Sequence, residues 1–295
     1  MRILSLFDGI SCGRLALERA GIPVEKYYAS EIDKYAIQVT QKNRPDTIQV
    51  GDVTKLNYLE LLDVDMVIGG SPCQDLSIAK QNREGLRGVR SGLFWKYVEA
   101  LETIKPKRFL LENVASMKDE DRDAITETLR KIYPETECIM INSALVSAQQ
   151  RKRYYWTNWH VEQPQDKGIL LKDILESGYA DREKSLCISR RYAGFAGTQS
   201  YLCRRYFGKS FGQAVFSSNI DRDFIKLKYQ ENKYFDDKGL SQMIRSLSCE
   251  ECEKLQTLPT NYTSCIKSEN KRKEAIGNGW TVDVIAWIFS QMPKE

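Results

Sequence analysis

From residue 1 to about 160, short apolar runs ending in Gly, Ser, Asp or Glu alternate with stretches of helical period. That alternation is met by a parallel sheet wrapped by helices, an α/β fold. Strands are expected at Ile3–Phe7, Lys26–Ser30, Met66–Gly69, Arg108–Leu111, Cys138–Ile141 and Tyr154–Thr157. Helices are expected near Gly13–Ala20, Lys34–Asn43, Leu93–Thr103 and Arg122–Tyr133. In open sheets of this kind ligands bind beyond the carboxyl ends of the strands, so the chemistry is expected at that rim.

A chain of 295 residues suits one large domain, or a large domain with a smaller insert. Eight cysteines are too few for a disulfide scaffold, and the opening MRILSLFDG reads as a strand entering a glycine turn, not as a secretory leader. With no run of about 18 apolar residues there is no membrane span, and a reducing cytoplasm is the expected compartment. Composition shifts after the alternating region: Lys184 to Ile220 holds no Asp or Glu, but carries Lys184, Arg190, Arg191, Arg204, Arg205 and Lys209 among aromatics and glycines. Two readings fit equally, a loop-rich module set against phosphates or a basic solvated face over an ordinary aromatic core. Helical pattern returns after about 245, and Ala275 to Met292 reads as a turn plus an apolar helix returning to the sheet.

The first strand runs into LFDGISCG, where Gly9 and Gly13 let the backbone turn tightly and approach a ligand. It is not a P-loop, since no Gly-Lys-Ser or Gly-Lys-Thr follows, and the spacing differs from GxGxxG. Glu31 closes the second strand, where an acid takes ribose hydroxyls in a dinucleotide-type fold, and Asp52 follows in VGDVT. An adenosyl ligand without phosphates, such as S-adenosylmethionine, fits this set; the plainer reading is a turn glycine pair and two surface acids.

The apolar strand MVIGG ends in SPCQ, which puts Cys73 in a loop at the carboxyl rim behind Pro72. A lone cysteine is usually a small buried hydrophobe. Here two other strand ends carry partners: Glu112 and Asn113 in RFLLENV, and Gln149, Arg151 and Arg153 in SAQQRKRYYW. Cysteine, carboxyl and arginine at one rim solve the problem of methylating carbon 5 of cytosine, which is a poor nucleophile. A thiolate adding to carbon 6 makes carbon 5 enamine-like, and a carboxylic acid donating to ring nitrogen 3 helps that addition. Glu112 is the candidate acid, with Arg153 and then Arg151 as the cation that orients the ring or phosphate.

These segments, taken in order, resemble the DNA (cytosine-5) methyltransferase family, bacterial or phage type, with similarity to the animal de novo catalytic domain. LFDGISCG resembles the first cofactor motif, which implies Phe7, Asp8, Gly9 and Gly13 at S-adenosylmethionine; SEID, with Glu31 and Ile32, resembles the second, and Asp52 with Val53 the third. GGSPCQDLS resembles the nucleophile motif, implying Cys73 as nucleophile, Pro72 beside the cofactor, and Gln74 and Ser77 at DNA. LLENV resembles the motif of the protonating glutamate and QQRKRYYW the Gln-x-Arg-x-Arg motif, with Gln149 expected at DNA. RSLSCEECEKLQTLP resembles the motif that supports the recognition domain, and AIGNGWTVDVI the last motif, with Asn278, Trp280 and Val282 at the cofactor.

Only about 166 to 240 lies outside the resemblance, the segment that reads target sequence in this family. The resemblance thus implies a Rossmann-like S-adenosylmethionine-dependent methyltransferase fold: a catalytic domain over 1–165, a small loop-rich recognition domain over 166–245, and a segment 246–295 returning to the catalytic domain. It implies a monomer acting on double-stranded DNA by base flipping, with no metal, either as an orphan enzyme or beside a cognate restriction endonuclease acting separately. Arg190, Arg191, Arg204, Arg205 and Lys209 are the candidate DNA contacts. Cys249 and Cys252 form a CxxC with no second pair at metal spacing, and His160 reads as a surface residue. The nearest alternative is a transfer RNA cytosine methyltransferase of the same fold, against which VASMKDED after Asn113 lacks the expected Cys-Phe-Thr. A catalytically silent relative is the other, against which the nucleophile and cofactor acids are all present.

Overall fold

A computed structural model describes residues 1–71, 92–190, 199–209, 212–231 and 242–294. Pro72, Cys73, Gln74, Ser77 and Arg191 lie outside the described residues, as do the side chains of Arg204 and Lys209.

The expected alternation is present. The chain runs β1 (Arg2–Leu6), α1 (Cys12–Arg19), β2 (Lys26–Ser30), α2 (Lys34–Asn43), β3 (Ile48–Gln49), β4 (Met66–Gly70), α3 (Gly92–Ile104), β5 (Arg108–Val114), α4 (Asp119–Arg130), β6 (Glu137–Asn142) and β7 (Lys152–Thr157). The seven strands form one sheet in the order β3-β2-β1-β4-β5-β7-β6. Ile3, Leu4, Leu6, Val67, Ile68, Leu110 and Leu111 are fully buried, because strands covered on both faces need unbroken apolar runs. α3 lays Phe94, Tyr97, Val98, Leu101 and Ile104 against that core at helical spacing. Gly69 is required by the sheet itself, since a Cβ there would stand 2.9 Å from the Leu6 carbonyl oxygen. The acidic run before α4 is a helix start: Asp119, Glu120 and Asp121 occupy its first turn, where the helix dipole favours negative charge.

The sheet is not wholly parallel. β7 pairs antiparallel with both β5 and β6. The reason is connection length: residues 143–151 are too few for the crossover that a parallel neighbour needs. β3, two residues long, carries no periodic signal and was not expected.

By packing, the chain divides into two compact units, one of residues 1–142, 152–164 and 282–295, the other of 143–151 and 165–281. These boundaries differ from those expected. The connection 143–151 belongs to the second unit, and of the segment 246–295 only the part from Val282 onward joins the first. In the first unit α10 (Val282–Ser290) packs on α1, tied by Arg19 to Asp283 at 2.6 Å.

The second unit contains α5 (Leu171–Ile174), α6 (Gln199–Lys209), β8 (Ala214–Phe216), α7 (Asn219–Glu231), β9 (Ile244–Ser246), α8 (Cys249–Leu255) and α9 (Glu269–Asn278), with β8 and β9 antiparallel. The acid-free stretch, for which a loop-rich module is one of the two expectations, holds α6, which buries Leu202, Cys203 and Tyr206 on one face. Tyr206 and Phe207 stack with Phe216, and Phe207 with Tyr229, so several of its aromatics form a core. Among the described residues no helix is long and apolar enough to cross a membrane.

Candidate active site

Two strands of the first unit bring an acid and a base together. Gly70, the last residue of β4, is in register with Glu112 on β5. On the other side of β5, Val114 is in register with Arg153 on β7, so Arg153 is the diagonal neighbour of Glu112 on one face. Arg153 Nε meets Glu112 Oε1 at 2.9 Å, with both side chains largely buried, 15% and 11% exposed. Burial strengthens such a charge-assisted contact and limits the positions the carboxyl can take.

Asn113 does something that residue type alone did not reveal. It is 1% exposed, and its Nδ2 donates to Ser71 Oγ at 3.1 Å while its Oδ1 accepts from the Val114 N–H at 2.8 Å. The side chain therefore ties the end of β5 to Ser71, two residues before Cys73 in sequence.

At the ends of β1 and β2 the backbone turns through three left-handed residues, Phe7 (φ 59°), Gly9 (φ 61°) and Ser11 (φ 57°). Left-handed geometry is strained for the two non-glycine residues and is held by neighbours. Gly9 N–H donates to Glu31 Oε2 at 2.7 Å, and Glu31 Oε1 accepts from the Ile32 and Asp33 N–H groups, both at 2.8 Å. Gly13 lies in the first turn of α1, where the expected helix begins. Asp8 is held by Tyr27 and Ser11, with Tyr27 Oη donating at 2.7 Å. Asp52 caps a short 3-10 turn: its Oδ1 accepts from Thr54 N–H and Oγ1, and these bonds keep its carboxyl below the usual range.

This rim fits an adenosyl ligand. Ile32 is 75% exposed, an apolar side chain standing free beside two acids, and a Cβ on Gly9 or on Gly51 would meet nothing within 4 Å. Glu31 Oε2 keeps one acceptor site for a hydroxyl, and Asp52 Oδ2 is unengaged for an amino group. Val53 is buried beneath them and Phe7 packs against the core.

Gln149 is fully buried in the second unit, donating to the Leu255 carbonyl at 2.6 Å and to Gln256 Oε1 at 2.9 Å, and is not a surface group for DNA. Arg151 is 4% exposed and donates to the carbonyls of Ile188 and Gly279 at 2.9 Å each. Its guanidinium braces backbone, so of the two candidate arginines only Arg153 meets Glu112. Lys184 is likewise held by the carbonyls of Ala144, Ser147 and Ile169. Arg190 pairs with Glu274, and Arg205 lies over Tyr201. Asn278, exposed at the end of α9, and Trp280 belong to the second unit, whereas Val282 is a fully buried core residue of the first. Cys249 and Cys252 are buried on α8, where burial pushes both thiols up, and His160 is exposed beside Glu137.

The chain is 34% identical to the orphan methyltransferase M.SPRI of Bacillus phage SPR over 52% of its length, but spans only 37% of that protein. It is 29% identical to the type II methyltransferase M.NlaX of Neisseria lactamica, covering 99% of this chain and 96% of that one. In fold it is similar to the S. pombe Dnmt2 methyltransferase, with a TM-score of 0.71 at 17% identity over 98% of this chain and 97% of that one. The family described as C-5 cytosine-specific DNA methylase matches residues 1–185 and 184–294, and the chain belongs to that family.

Proposed function

We propose that this chain transfers a methyl group from S-adenosylmethionine to carbon 5 of a cytosine rotated out of duplex DNA, with Cys73 as the covalent nucleophile. The observation that carries the reading is the Glu112–Arg153 pair, set on the strand next to the one that leads into Cys73. In this reading the Cys73 thiolate forms a bond to carbon 6 while Glu112 delivers a proton to ring nitrogen 3, and the electron pair gathers at carbon 5. Arg153 holds the Glu112 carboxyl in plane. S-adenosylmethionine supplies the methyl group as an electrophile at that carbon. Loss of the carbon 5 proton to a base then lets the carbon–sulfur bond break, which restores the aromatic ring and the thiolate.

For the cofactor, Glu31 would take the ribose, Ile32 the adenine face and Asp52 its amino group, with Phe7 and Gly9 lining the turn. Gln74 and Ser77, beside the nucleophile, would touch DNA, and the second unit would read the target site. Rotation of the base is needed because the face of a stacked cytosine is closed to attack.

The test is transfer of labelled methyl from S-adenosylmethionine into duplex DNA and, in parallel, into transfer RNA, with modified cytosines mapped at base resolution. Label is expected in DNA at one short motif. Label confined to RNA would overturn the substrate. Cys73→Ala is expected to abolish transfer with cofactor binding retained, and methylation surviving that change would overturn the nucleophile.

A further inference from the structure

The turn after β1 holds a carboxylate with no counter-ion among the described residues. Asp8 Oδ1 accepts from the Tyr27 hydroxyl at 2.7 Å and its Oδ2 accepts from the Ser11 hydroxyl. Ser11 Oγ lies 2.9 Å from Thr40 Oγ1, so the surrounding partners are hydroxyls. Arg14, whose guanidinium lies over the Tyr27 ring, is committed to Asp46 and Glu18. Glu31, which accepts from backbone N–H groups, is close enough for its charge to act on Asp8. Two acids in each other's field, with no basic side chain paired to either among the described residues, disfavour the folded state unless a cation arrives.

We propose that Asp8 is a charge selector in this turn, favouring the cationic sulfonium of S-adenosylmethionine over the neutral thioether of S-adenosylhomocysteine, and so favouring exchange of product for fresh cofactor. The inference rests on the cofactor reading above. Asp8 acts through its field and through the turn, so it is a positioning residue. The two ligands share their adenosine and amino-acid ends and differ at the sulfur by one methyl group and one charge. Their affinity ratio therefore reports the electrostatics of the site, whereas damage to the turn weakens both alike.

Asp8→Asn removes the charge and keeps the contacts: the amide oxygen can accept from Tyr27, and the amide nitrogen can donate to Ser11, whose hydroxyl then turns to Thr40. Proton uptake does the same to the wild-type chain. Burial first, with the Glu31 charge adding and the hydroxyl bonds opposing, pushes the Asp8 carboxyl up to about 6. The other ionisable groups around it are Tyr27 on β2, Glu31 just beyond it, and Arg14 on α1.

The experiment is calorimetric titration of the full chain with each ligand from pH 5 to 8, for wild type and Asp8→Asn. The wild-type preference for S-adenosylmethionine is expected to fall about tenfold as pH drops through the Asp8 range, while the variant shows the lower ratio at every pH. A variant with the wild-type ratio and pH profile overturns the proposal. So does a flat wild-type ratio, which needs no variant. Binding of neither ligand to folded wild-type protein would instead remove the cofactor reading on which the proposal stands.

Discussion

Arg151 and Arg153 stand two residues apart, yet Arg153 ion-pairs with Glu112 at a sheet end of the first unit while Arg151 is buried in the second, bonded to backbone carbonyls. The contrast extends to the acids. Glu112 is 8% exposed, whereas Glu251 and Glu253 are fully buried, Glu251 forked by Arg245 and Glu253 held by Thr263 and Arg272. A charged group sealed entirely within the protein serves the fold; one at a strand end that still reaches solvent can serve chemistry.

Substitutions can break or sharpen that contrast. Glu112→Gln should lower methyl transfer about 10²–10⁴-fold, the usual span for a proton donor, with denaturant unfolding unchanged. Arg151→Ala should do the reverse, costing about 3 kcal/mol by leaving buried carbonyls unpaired, with cofactor affinity intact in the protein that stays folded. A loss of turnover at unchanged stability would move Arg151 into the site and erase the distinction.

Asp8 offers a finer test, because its buried charge opposes folding while the proposal gives it a part in binding. Between pH 3.8 and about 6 the folded chain holds a proton on Asp8 that the unfolded chain has released, so stability falls as pH rises through that window. Asp8→Asn should therefore stabilise the cofactor-free protein at pH 7, by about 2 kcal/mol, with the gain gone near pH 4, as read from unfolding curves at the two pH values. The smallest effect is expected at Arg190, 60% exposed against Glu274. Arg190→Ala should change stability by less than about 1 kcal/mol and weaken DNA binding evenly across sequences, with a shallower salt dependence.

Much of the first unit was legible from its residues. Its apolar strands and amphipathic helices are local patterns, and α2 and β2 begin and end where periodicity puts them. Glu112 and Glu31 stand out as candidates because each is an acid at the end of an expected strand, and Asp52 because it follows the glycine of VGDVT. The second unit was harder: α6 hides its period among aromatics and glycines, and the roles of Gln149, Arg151 and Lys184 depend on carbonyls far along the chain. Asn113 was visible as a residue but not as a tie, since its partner Ser71 is 42 positions away.

The sequence by itself determined the layered α/β plan, the family, and the order in which the cysteine, acid and basic motifs follow one another, because period, turn residues and motif spacing are properties of short stretches. The tertiary structure alone decided that β7 enters between β5 and β6, that Arg153 and not Arg151 meets Glu112, and that the described partners of Asp8 are hydroxyls. Those outcomes rest on register and on which distant groups share a buried space, and neither is written in the residues around any one position.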